Sequence, residues 1–136
     1  MGSNLISILN KWSYRTWRTL AVFCAAVIIV LSCLPGNEIP DMKLLEYDKI
    51  GHLSAYATFC FTLLAWTRRQ FQRANNGCRY LIFVVVTGSV LGIVLELLQG
   101  FVLTGRYFDY LDVIANIIGA IIGAVFASLI IKKTPV

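Results

Sequence analysis

Asp48, His52 and Tyr56 recur at four-residue steps, which on a helix sets a carboxylate, an imidazole and a phenol on one face. Further along, Glu96 and Gln99 stand three apart, and Asp109, Asp112 and Asn116 follow steps of three and four. An imidazole titrates near neutral pH, and a carboxylate one turn before it can orient the ring. His52 with Asp48 and Glu96 therefore has the side chains needed for general acid–base chemistry. Lys49 and Arg106 add cations suited to the phosphate or carboxylate of a headgroup. The same residues have plainer uses. His52 can be a hydrogen bond at a helix mouth, Glu96 and Arg106 a bidentate structural clamp, Tyr56 a packed ring, and Asp112 with Asn116 the cap of a helix. One nitrogen from His52 and oxygens from Glu96, Asp109 and Asp112 make a metal conceivable, but a single histidine without a compact ligand motif favours a site with no metal. No cofactor is expected.

The elements that must position these residues are unusually apolar. The 136 residues are 58% hydrophobic and 14% charged, outside the range of ordinary soluble domains. A bilayer core of about 30 Å needs about 20 apolar residues per helix. Four runs come close to that length: the uncharged stretch 19–37 with its helix over 19–34, 50–67 with His52 as its one titratable group, 80–103 interrupted only by Glu96, and 111–131, uncharged from Val113. The spacing predicts an all-α membrane protein of four transmembrane helices, a single unit over 1–136. Leu5, Ile8, Leu9 and Trp12 share one helical face, so 4–16 reads either as an interfacial helix or, with Tyr14 and Trp17, as an aromatic belt at the first span. Val30-Leu31-Ser32-Cys33 is a poor lipoprotein signal because Leu31 is too large, so the first span is expected to stay uncleaved.

Charge sets the expected orientation. Of the 12 basic residues, nine (Lys11, Arg15, Arg18, Arg68, Arg69, Arg73, Arg79, Lys132 and Lys133) fall on one side of the spans, and Lys43, Lys49 and Arg106 fall on the other. The positive-inside rule then puts both termini in the cytoplasm and the polar cluster at the outer face. All seven acidic residues lie on that outer side. The net charge of +5 is accounted for by anionic inner-leaflet lipid, and no nucleic-acid partner is expected. Cys24, Cys33, Cys60 and Cys78 make no disulfide framework and read as small apolar fillers. Gly88 and Gly92 precede Glu96 at four-residue steps, and Asn116, Gly119 and Gly123 form a second small-residue line, expected to draw spans three and four together.

Asp48-Lys49-x-x-His52-x-x-x-Tyr56, then Glu96-x-x-Gln99, then Arg106-x-x-Asp109-x-x-Asp112-x-x-x-Asn116-x-x-Gly119 resembles the signature of the VanZ-like family. The motifs extend over about half the chain, and the four-span layout over nearly all of it. The resemblance implies a small integral protein of the bacterial cytoplasmic membrane, in a family whose founding member is associated with teicoplanin resistance.

Three functions fit. In the first, Lys49, Tyr56, Gln99, Arg106, Asp109, Asp112 and Asn116 line an outer-leaflet pocket for a membrane lipid, a lipid-linked envelope precursor or a lipophilic glycopeptide antibiotic. In the second, Asp48, His52 and Glu96 catalyse acid–base chemistry on such a lipid. In the third, the cluster is purely a structural set of salt bridges. Proton-coupled transport fits less well, because no polar residue continues the path through the inner halves of the spans. Nothing in the spacing specifies an oligomer.

Overall fold

The computed structural model describes residues 12–34, 45–67, 77–103 and 105–131, with side chains from Lys49 onward in the second stretch. These residues form four α-helices and no strand: α1 Tyr14–Ser32, α2 Leu45–Trp66, α3 Gly77–Val102 and α4 Tyr110–Ile131. Each expected span lies on one helix. The proposed interfacial helix lies mostly outside the described residues; its last residues, from Tyr14, belong to α1. The aromatic residues described there pack against one another and against α2. The Trp12 and Trp17 rings lie 5.1 Å apart, Trp17 meets Phe61 edge-on at 6.1 Å, and Tyr14 meets Trp66 at 6.2 Å.

Local chemistry explains the helix ends. Ser13 caps α1, its hydroxyl accepting from the Thr16 N–H at 3.3 Å. Beyond α3, Gly105 takes φ 76°, a left-handed conformation that a side chain would strain, and so turns the chain toward α4. Asp109 starts α4, with its side-chain Oδ1 accepting from the Leu111 N–H at 2.8 Å and its carbonyl from Asp112 and Val113. Asp112 and Asn116, expected to cap this helix, do not; they lie inside it and face other helices, because Asp109 already satisfies the first free N–H groups.

Of the four helices, α1, α3 and α4 are long and apolar enough to cross a membrane. Their outward faces are apolar: Phe23, Val30, Phe83, Val90, Phe126 and Leu129 are each more than half exposed. So much uncovered hydrocarbon suits contact with lipid rather than water. Although α2 has comparable length, Lys49, His52 and several hydroxyls dilute its apolar character. Those hydroxyls return to their own helix: Ser54 donates to the Ile50 carbonyl, Thr58 to Ser54 and Thr62 to Thr58. Such back-bonding leaves no hydroxyl donor unsatisfied in an apolar surround.

Packing makes α2 the hub, in contact with α1, α3 and α4, and its seam with α4 is the most extensive. The core is built from Tyr56, Phe59, Cys60, Leu63 and Leu64 of α2 against Val84, Leu95, Ala120, Ala124 and Ile131, with Trp17 and Ile28 from α1. The glycine lines work differently from expectation. Gly92 does face α4, at Asn116, but Gly88 meets Cys60 of α2 more closely than Ala120 of α4, and Gly119 and Gly123 face the backbone of α2 at Leu53 and Ala57. The small-residue line of α4 thus joins it to α2, because the carbonyls of Leu53 and Ala57 occupy the space a methyl group would need.

A methyl at Gly123 meets backbone, which cannot yield, whereas one at Gly51 meets nothing within 4 Å. Gly123→Ala should therefore lower stability by about 1–3 kcal/mol. Gly51→Ala should be neutral or stabilising by up to about 1 kcal/mol through helix propensity. Thermal unfolding of the two variants in detergent checks the contrast; equal shifts would refute the assigned seam.

Candidate functional site

Three helices and one loop bring polar side chains to the end of the bundle where α2 and α4 begin. Lys49 lies at the head of the described side chains, where Nζ donates to Asp109 Oδ2 at 3.1 Å and to Asp112 Oδ1 at 3.4 Å. One turn further along α2, His52 Nδ1 lies 3.0 Å from Asn116 Oδ1. An amide oxygen only accepts, so Nδ1 carries the proton in this bond. From α3, Glu96 directs Oε1 at the same imidazole, 3.9 Å from Nδ1, while Asp112 Oδ2 stands 4.0 Å from Nε2. Glu96 can reach this place because Gly92, one turn before it, packs directly against Asn116.

Exposure falls steadily from rim to floor. The side chains of Asp109 and Lys49 are 33% and 29% exposed, His52 18% and Glu96 1%. At the floor two buried polar atoms, Glu96 Oε2 and Asn116 Nδ2, have no hydrogen-bond partner. A satisfied structural clamp leaves no such atoms.

Several expected site residues stand elsewhere. Arg106 forms no ion pair with Glu96 among the described residues. Its Nε donates to the Leu34 carbonyl at 3.4 Å, because Gly105 turns the chain outward beyond α3 while Glu96 lies about 9 Å back from the helix end. Gln99 Nε2 likewise donates to the Ser32 carbonyl at 3.0 Å. The two side chains together take up free carbonyls at the end of α1, and the guanidinium also suits the negative end of a helix dipole. Tyr56 is 2% exposed within the core. The side chain of Asp48 lies outside the described residues. His52, Glu96, Asp112, Asn116, Lys49 and Asp109 are brought together, and of these His52, Glu96 and Asp112 have atoms placed to share a metal ion.

One feature escaped the sequence reading. Phe23, Cys24, Val27 and Ile28 of α1 and Gly51, Ser54, Ala55 and Thr58 of α2 line a groove of about 310 Å³. The small residues of α2 at three- and four-residue steps were its signal, obscured by the hydroxyls among them.

At the rim the charges reinforce one another. Asp109 is held below the usual carboxylate range, first by the Leu111 N–H and then by Lys49, while Lys49 is raised, chiefly by its hydrogen bond to Asp109. A lowered carboxyl stabilises the fold above its unfolded value, about 3.9, and that contribution disappears as pH falls through the lowered folded value. Asp109→Asn keeps a capping side chain and removes only the charge. The wild-type Tm should exceed that of the variant at neutral pH, and the margin should close on acidification below about pH 4. Unfolding scans across pH check this, and a margin that is constant down to pH 2 would contradict it.

The sequence profile described as VanZ/LLP1 matches residues 3–131, nearly the whole chain. No curated protein and no solved structure matches it. The matched stretch takes in all four helices and every residue of the polar cluster, and the chain belongs to the VanZ/LLP1 family.

Proposed function

We propose that this chain is a four-span protein of the bacterial cytoplasmic membrane whose outward polar pocket binds the headgroup of a lipid or lipid-linked envelope component. The graded exposure from Lys49 and Asp109 at the rim to Glu96 at the floor carries the reading. A rim ammonium can meet a headgroup phosphate or carboxylate, and the unpartnered Glu96 Oε2 and Asn116 Nδ2 offer a carboxylate oxygen and an amide donor to a ligand's hydroxyl and acceptor groups. The orientation follows from basic residues: Arg15 and Arg18 near the start of α1 and Arg79 near the start of α3 belong to the cytoplasmic side. In this reading α2 is the fourth span, buried centrally because it carries the polar groups. The groove between α1 and α2 suits an acyl chain, since its lining is largely apolar. A lipophilic glycopeptide such as teicoplanin, tied to the founding relative, joins an apolar and a polar part in the same way and is the second ligand class.

A second reading, acid–base catalysis on the headgroup, is favoured by the bond from His52 Nδ1 to Asn116, which fixes the ring with Nε2 turned toward Asp112. His52→Ala separates the two. A catalyst would still capture lipid but not turn it over, while a binding pocket would capture less.

The test is mass spectrometry of lipids that co-purify with the wild type, Glu96→Gln, Lys49→Ala and the control Thr87→Ala, which removes a hydroxyl that donates to its own helix at Phe83. One lipid class should be enriched over the bulk membrane in wild type and Thr87→Ala. Losing a charge-assisted hydrogen bond should cut that enrichment about tenfold or more in the other two. Absence of any enriched class, or equal enrichment in all four proteins, would overturn the pocket.

A further inference from the structure

We propose that His52, Glu96 and Asp112 hold a divalent transition-metal ion at the floor of the pocket. The inference rests on the same outward-opening pocket as the headgroup reading and gives that pocket a Lewis-acidic group. One ligand atom from each residue lies within 4.8 Å of the other two. The separations themselves favour an ion over direct pairing. A charged imidazole and a carboxylate in contact close to about 2.7–2.9 Å. Here both distances from the ring to a carboxylate, 3.9 Å to Glu96 and 4.0 Å to Asp112, are about an ångström longer. Donors arranged tetrahedrally around an ion at about 2.1 Å stand about 3.4 Å apart. The Nε2–Asp112 contact is roughly half an ångström wider than that, and the three ligand atoms, all within 4.8 Å of one another, would close by up to about an ångström and a half elsewhere to complete the site.

The second observation is the carboxylate at the floor. Glu96 is 1% exposed and Oε2 has no hydrogen-bond partner, although its other oxygen is directed at the imidazole. A buried carboxylate oxygen needs a donor or a cation, and an ion bound by both oxygens of Glu96 supplies one.

The surrounding contacts have the form of an outer shell. Asn116 Oδ1 accepts the His52 Nδ1 proton, fixing the tautomer in which Nε2 carries no proton and has a lone pair for ligation. Lys49 occupies Oδ1 of Asp112, while Oδ2 faces the imidazole. Three ligands, one from each of α2, α3 and α4, leave the remaining coordination positions for water or a headgroup oxygen. One nitrogen with carboxylate oxygens suits Zn²⁺ or Mn²⁺, whereas Mg²⁺ and Ca²⁺ take all-oxygen sets.

Purified full-length protein, stripped with chelator in detergent, should be titrated with ZnCl₂ and with MnCl₂, and its metal content measured by plasma mass spectrometry. Saturable uptake at one ion per chain is expected. His52→Ala and the Glu96→Gln/Asp112→Asn double variant should lose it, and Asn116→Ala should weaken it about 10–100-fold as an outer-shell partner. No saturable uptake by folded wild-type protein overturns the site, a result that needs no variant to fold. Unchanged uptake in folded His52→Ala or in the double variant overturns the ligand assignment. The two readings also fail separately. A chain that enriches lipid without taking up an ion loses the metal and keeps the pocket, and one that takes up an ion without lipid does the reverse.

Discussion

The carbonyls of Leu53 and Ala57 lie where any side chain on Gly119 or Gly123 would have to go, and the rest of the polar end follows from that close approach of α2 and α4. Contacts run Lys49 with Asp112, His52 with Asn116, Leu53 with Gly119 and Ala57 with Gly123, so both residue numbers rise together. The two helices are therefore parallel and begin at the same face. Each brings the positive end of its dipole there, which favours Asp109 and Asp112 in that position. A helix pair held by side-chain interdigitation could slide by a fraction of a turn. A pair held backbone to glycine cannot, so the register of His52 against Asn116 is set by contacts further down the seam.

That seam also explains why polar side chains survive in so apolar a chain. Hydroxyls on α2 return to their own helix, and Lys49 near its head meets partners on α4 and the preceding loop. Water reaches Lys49 and Asp109, where charge is cheap to keep, and fades toward Glu96, where it is expensive.

The sequence made much of this legible for a physical reason: charge inside an apolar run has few tolerable positions. His52, Glu96, Asp112 and Asn116 could be brought to one depth by counting along their helices, and they do meet. Gln99 and Arg106 were assigned to the same pocket because a polar residue near a helix end looks alike whether its partner is a side chain or a main-chain carbonyl. Main-chain acceptors leave no mark in sequence. The glycine lines announced close helix contact but not with whom, since spacing defines a face and only the assembled bundle defines its neighbour. Capping by Asp109 rather than Asp112 turned on a boundary shift of a single turn, which periodicity does not resolve.

The hold on α1 by Gln99 and Arg106 has a consequence of its own. Both side chains grasp peptide carbonyls, those of Ser32 and Leu34, and not any side chain of α1. Every amino acid presents the same carbonyl there, so the latch is indifferent to what α1 carries at its C-terminal end. The first helix is thus an interchangeable module along this edge. Its outward-facing side chains, and with them the lining of the adjacent groove, can change without loosening the grip on its C-terminal end.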